Sequence, residues 1–126
     1  MIIGVIGLLF IIISAISESI MDKIQFHFDK SIFNDEKFNK LFWNPLYSWK
    51  NKWNEDLTKP KFFLSTSLFV SLTDAWHFFK LLKNTSIFIG LPLIVMGQFN
   101  IIISVIIARV VYGLVFTLFF DKVLNK

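Results

Sequence analysis

Between Ile2 and Ile20 the chain carries a single charge, Glu18, in the run IIGVIGLLFIIISAISESI. A helix needs about 20 mainly apolar residues to cross the hydrocarbon core of a bilayer. The stretch 2–20 therefore predicts a transmembrane helix. A secretory signal peptide is the rival reading, because Ala15 and Ser17 would suit a cut at Glu18. Such a peptide opens on a basic region, and no Lys or Arg precedes Lys23. The pattern favours a retained helix.

The rest of the chain agrees with a lipid environment. Of its 126 residues 55% are hydrophobic and only 17% charged, with 16 Phe and a mean hydropathy of +0.63. A soluble domain this small has too much surface for its volume to hide that much apolar area. The composition predicts an all-α integral membrane protein, with residues 1–126 forming one membrane domain.

A second span is expected over 62–82, FFLSTSLFVSLTDAWHFFKLL. On a helix, Ser67, Ser71 and Asp74 would share an arc of about 60°, the small, polar stripe that faces another helix. Lys80 and Lys83 would then snorkel to the far surface. Residues 86–120 form a third apolar region, interrupted by Gly90, Pro92, Gly97, Gln98, Asn100 and Arg109. The GQFN stretch at 97–100 marks a break. Residues 86–97 are then either part of the third span or a short re-entrant helix, which would need protein around its irregular backbone.

Residues 21–61 are the polar part, with eight Lys and six acidic residues. In FWNPLYSWKNKWN, Asn44-Pro45 signals a turn. After it Leu46, Trp49, Trp53 and Leu57 recur at helical spacing. An interfacial amphipathic helix fits, with Trp43, Trp49 and Trp53 as anchors at headgroup level. Lysine placement puts 21–61 and the 121–126 tail in the cytoplasm, which requires three crossings. The net charge of +4 comes from 12 Lys and one Arg. Most of these lysines flank apolar runs, so the bilayer with its anionic headgroups is the expected partner and nucleic acid is not. The absence of Cys excludes disulfides, thiolate nucleophiles and Cys-based metal sites.

Two polar groupings carry the candidate chemistry. Glu18, Asp22, Gln25 and Asp29 would form one stripe within about 60° of arc if the first helix runs past residue 20. Asp74 and His77, at i and i+3, reach a common point from one helix turn. Helix bundles build metal sites from such a pair plus facing carboxylates. Glu18 and Asp22 would complete a site for Zn, Mn or Fe. The simplest topology opposes this, because it leaves Glu18 shallow and Asp74 deep. A charged residue near the bilayer centre is usually paired, protonated or functional, and Arg109 is the simplest partner for Asp74. No serine elbow or phosphate loop is present.

Three functions remain. The leading one is a non-enzymatic subunit or interaction module, assembling as a homo-oligomer or with a membrane protein partner. The second is a metal-dependent membrane enzyme using Asp74 and His77 with Glu18 and Asp22. The third is a homo-oligomeric ion or proton pathway or pore former.

Overall fold

The computed structural model describes residues 1–97 and 100–126. Helix α1 runs from Ile2 to Phe26, and two single-turn helices follow, α2 over Lys40–Trp43 and α3 over Pro45–Ser48. Helix α4 spans Ala75–Met96, and α5 spans Ile101–Leu118 before a π-helical turn over Phe119–Val123. No strand occurs among the described residues. Helices α1, α4 and α5 (the last with its π turn) are each long and apolar enough to cross a membrane.

Short polar side chains start four of the five helices. Asn39, Asn44, Asp74 and Asn100 each accept a hydrogen bond from a backbone N–H of the first turn they precede. These groups satisfy donors that a helix leaves orphaned at its N-terminus.

Asp74 moves the second span. The helix begins at Ala75, so 62–82 is not the crossing segment, and 86–97 is neither re-entrant nor part of the third span. Residues 86–96 are the second half of α4, which runs on through Lys83-Asn84-Thr85 and Pro92. Residues 62–74 form turns and a 3-10 segment, with Leu64 at φ 57°. The reason is competition for the backbone. Ser65 Oγ donates to Lys52 O at 2.7 Å, and Thr73 Oγ1 to Val70 O at 2.7 Å. Asp74 itself is extended, at φ −151° and ψ 156°. Ser67, Ser71 and Asp74 therefore share no helical face. The expected break at 97–100 is present between Met96 and Ile101; Gln98 and Phe99 lie outside the described residues.

Helices α1 and α4 pack antiparallel at close range. A Cβ on Gly7 would lie 2.7 Å from Gly90 O, and one on Gly90 would lie 2.9 Å from Gly7 O. A Cβ on Gly97 would lie 2.7 Å from Gly4 Cα. Small residues here let the two backbones approach. Ser86 and Ile94, both buried, continue the contact face of α4, and Ile11 and Ser14 that of α1. Helix α5 runs parallel to α1 and rests on it through Ala108, which packs with Ile11 and Ile94.

At one end, residues 27–74 and the C-terminus form a cap. Ile20, Ile24, Phe33, Ala75 and Leu124 make its core. Ile32 N–H donates to Leu124 O at 3.1 Å, and Lys126 N–H to Lys30 O at 2.9 Å. Lys23, 3% exposed, reaches Asn125 Oδ1 at 2.7 Å and sits 3.8 Å from the Phe120 ring centroid. The 121–126 stretch is thus stitched into the cap, not a loose tail.

The expected amphipathic helix over 46–57 is also absent. After α3 the chain makes a 3-10 turn over Trp49–Lys52, and Trp53 bridges to Pro60. Asn54 Oδ1 accepts from Thr58 N–H at 3.0 Å, and Leu57 takes φ 57°, so the backbone reverses instead of continuing. Trp43 stacks on Phe33 at 4.5 Å and packs beside Phe79 inside the cap, whereas Trp49 is half-exposed.

Gly90→Val should cost about 1–3 kcal/mol of stability by forcing α1 and α4 apart. Gly113→Ala, whose new methyl meets only Arg109 Nη1 at 3.7 Å, should be close to neutral. Unfolding curves in detergent micelles check both; equal effects would show that the glycine contact is not what holds the pair.

Candidate functional site: a polar layer between the three long helices

The glycine register fixes which side chains meet. With Gly4 facing Gly97 and Gly7 facing Gly90, Glu18 falls opposite Lys83, and Gln25 opposite Trp76. Lys83 Nζ donates to Glu18 Oε1 at 2.9 Å. The Tyr112 hydroxyl of α5 donates to Glu18 Oε2. Ser14 Oγ donates to Lys83 O at 3.0 Å. One carboxylate thereby joins α1, α4 and α5. Toward the cap, Trp76 Nε1 donates to Gln25 Oε1 at 3.0 Å.

Lys83 and Tyr112 were not legible as site residues. Lys83 sits in the first half of α4 and turns inward to Glu18, instead of snorkelling to the far surface. An intramembrane carboxylate on α1 predicts some cationic partner, but its identity depends on the α1–α4 register.

Asp74 has a different task. Its Oδ1 accepts from His77 N–H at 2.9 Å, and its Oδ2 lies 2.7 Å from His77 Nδ1. Asp74 is buried, 5% exposed, and this one residue both caps α4 and holds the imidazole. It does not pair with Arg109. Asp74–His77 and Glu18–Lys83 are the ion pairs among the described residues.

Nor do the two candidate metal-ligand pairs converge. Asp74 precedes Lys83, and hence the level of Glu18, by nine positions, roughly 13 Å at about 1.5 Å per residue. Among the described residues no three His, Asp or Glu side chains gather at metal-binding distance. The Asp74, His77, Glu18, Asp22 ligand set for Zn, Mn or Fe is therefore not assembled among the described residues. The two pairs still lie at different depths, but in the opposite order to that expected, with Asp74 at the cap-side start of α4 and Glu18 deeper in the bundle. Of the Glu18 stripe, Glu18 and Gln25 face α4, Asp22 lies beside α5, and Asp29 has left the helix for a 3-10 turn.

Arg109 projects along α5 toward the cap, its Nη1 passing over Gly113. It borders two cavities. One, of about 350 Å³, is apolar and lies between α4 and α5: Ile87 and Leu91 on one wall, Val105 and Ala108 on the other, Ile11 of α1 as the floor. The second, of about 330 Å³, is lined by Asp22, Gly113, Phe116 and Thr117. Glu18, Arg109 and Tyr112 border both, so the two meet at the polar layer.

Compared with protein-family models, with characterised proteins and with solved structures, the chain matches none.

Glu18→Gln and Lys83→Met should each destabilise the bundle, and the double variant should cost less than their sum. A coupling of about 1–2 kcal/mol is expected for a partly exposed pair held between helices. At the helix start, Asp74→Ala should cost about 1 kcal/mol through the lost cap, while Asp74→Asn keeps most of it. A denaturation series in one detergent checks all five variants; strict additivity of the Glu18 and Lys83 effects would rule out the pair.

Proposed function

We propose that this chain is a non-enzymatic, three-span membrane module that works by association with other membrane components. The observation that carries the reading is how its polar groups are used. Glu18, Lys83 and Tyr112 tie the helices together. Asp74 and His77 start α4. The groups that would have to do chemistry are engaged in holding the fold.

The free surface fits association. Helix α5 exposes Ile102, Ile103, Ile106, Val110, Leu114 and Leu118 along its outer side. In lipid, helices associate by packing such faces rather than by escaping water. The cap supplies the second half of the module. Lys50, Lys52, Lys59 and Lys61 lie in the stretch that also exposes Trp49, Phe63, Leu68 and Leu72. Lysines beside exposed aromatic and aliphatic side chains suit an anionic bilayer surface. The excess of lysine at this end orients the cap, with the C-terminus beside it, to the cytoplasm.

The test is self-association in vesicles, read by energy transfer between labelled copies as the protein is diluted in lipid. Transfer that falls with dilution, and falls further with Ile106→Trp or Val110→Trp, is the expected result. Monomers at every dilution, together with a lipid-hydrolysing activity lost in His77→Ala, would overturn the reading in favour of an enzyme.

A further inference from the structure

The crevice beside Arg109 has the shape and the charge pattern of a lipid site. Its lower part is the apolar cavity between α4 and α5, which in a bilayer opens sideways to acyl chains. Cavities of this size hold small ligands or one arm of a larger one. Its upper part carries two charges with no ion pair among the described residues, the Arg109 guanidinium and the Asp22 carboxylate. The neighbouring charges, Glu18 and Lys83, already neutralise each other. Leaving Arg109 without a directly paired anion inside a span is costly.

Depth supports the same occupant. Asp22 lies 20 residues beyond Ile2, roughly 30 Å along α1, about the thickness of the hydrocarbon core. It therefore sits at headgroup level on the cap side. Arg109 starts deeper, but its side chain runs toward the cap over Gly113, its Nη1 3.7 Å from where a Cβ at that position would sit. The apolar part of the crevice continues from this layer toward the bilayer centre, the direction in which an acyl chain of that leaflet points.

We propose that the crevice binds one glycerophospholipid with a zwitterionic phosphate–ammonium headgroup. The phosphate accepts hydrogen bonds from the Arg109 guanidinium, the ammonium donates to Asp22, and one acyl chain fills the space between Ile87, Leu91, Val105 and Ala108. Arginine suits this role because its planar fork can give a phosphate two parallel hydrogen bonds. A net-anionic lipid would match Arg109 but meet Asp22 as a like charge. The inference goes beyond the association reading and does not need it, since lipid retention is measured on a single chain.

The experiment is native mass spectrometry of the detergent-solubilised full chain, titrated separately with phosphatidylethanolamine and phosphatidylglycerol. Wild type should retain the ethanolamine lipid about tenfold more tightly, the worth of one charge-assisted contact. Arg109→Gln should weaken both lipids about tenfold. Asp22→Asn should abolish the preference between them. Leu91→Trp, which fills the apolar part without touching either charge, should reduce retention of both; circular dichroism on each variant confirms the helices. Preference for phosphatidylglycerol in the wild type, or retention unchanged in Arg109→Gln and Leu91→Trp with helices intact, overturns the proposal.

Discussion

The backbone contact between Gly7 and Gly90 sets the geometry of everything else in the molecule. Two helices of mainly large apolar residues can slide against each other with little change in packing. At the glycines they cannot, because each occupies space that a methyl group would need. Once that point is pinned, an antiparallel pair with a fixed rise per residue has only one register. Glu18 then meets Lys83 and Gln25 meets Trp76. Helix α5 is held through Tyr112, which reads the same carboxylate from the other side.

This arrangement explains why the polar residues are divided into separate layers. The Glu18 layer lies inside the bundle and joins three helices. The Asp74 layer lies at the mouth of α4, where the chain enters from the cap. A carboxylate there is worth more as a helix start than as a partner for a distant arginine, since it satisfies an orphaned N–H locally and without ordering a second long side chain. Arg109 is left free to project along α5, and the gap between α4 and α5 gives it an apolar floor below and a carboxylate above.

The cap shows a second division of labour. Its core is aromatic, with Phe33, Phe38 and Trp43 in mutual contact. The C-terminal residues close over it by backbone hydrogen bonds to residues 30–32. Lys23 is buried at this junction against a ring and an amide, not against a carboxylate. The cap is thereby fastened to both α1 and α5, and its remaining lysines and exposed aromatics stay on the outside.

The sequence by itself determined three things: an all-helical chain, three runs long and apolar enough to cross a membrane, and a polar segment whose end of the bundle it shares with the C-terminus. These follow from composition and run length, which are local properties. It placed the first span well because that run is uniform, extending it only from 20 to 26. It misplaced the second because residues 62–72 are as apolar as a span, while Ser65 and the adjoining Thr73 bond to the backbone and Asp74 waits as a cap. Apolarity does not distinguish a helix from a greasy turn. Asp74 and His77, three positions apart, were within reach of each other from the sequence alone. The tertiary structure decided the long-range partners, Lys83 for Glu18 and the crevice for Arg109. Pairing depends on register, and register was set by two glycines 83 positions apart in the chain (90 − 7), a separation at which no periodicity in one sequence carries information.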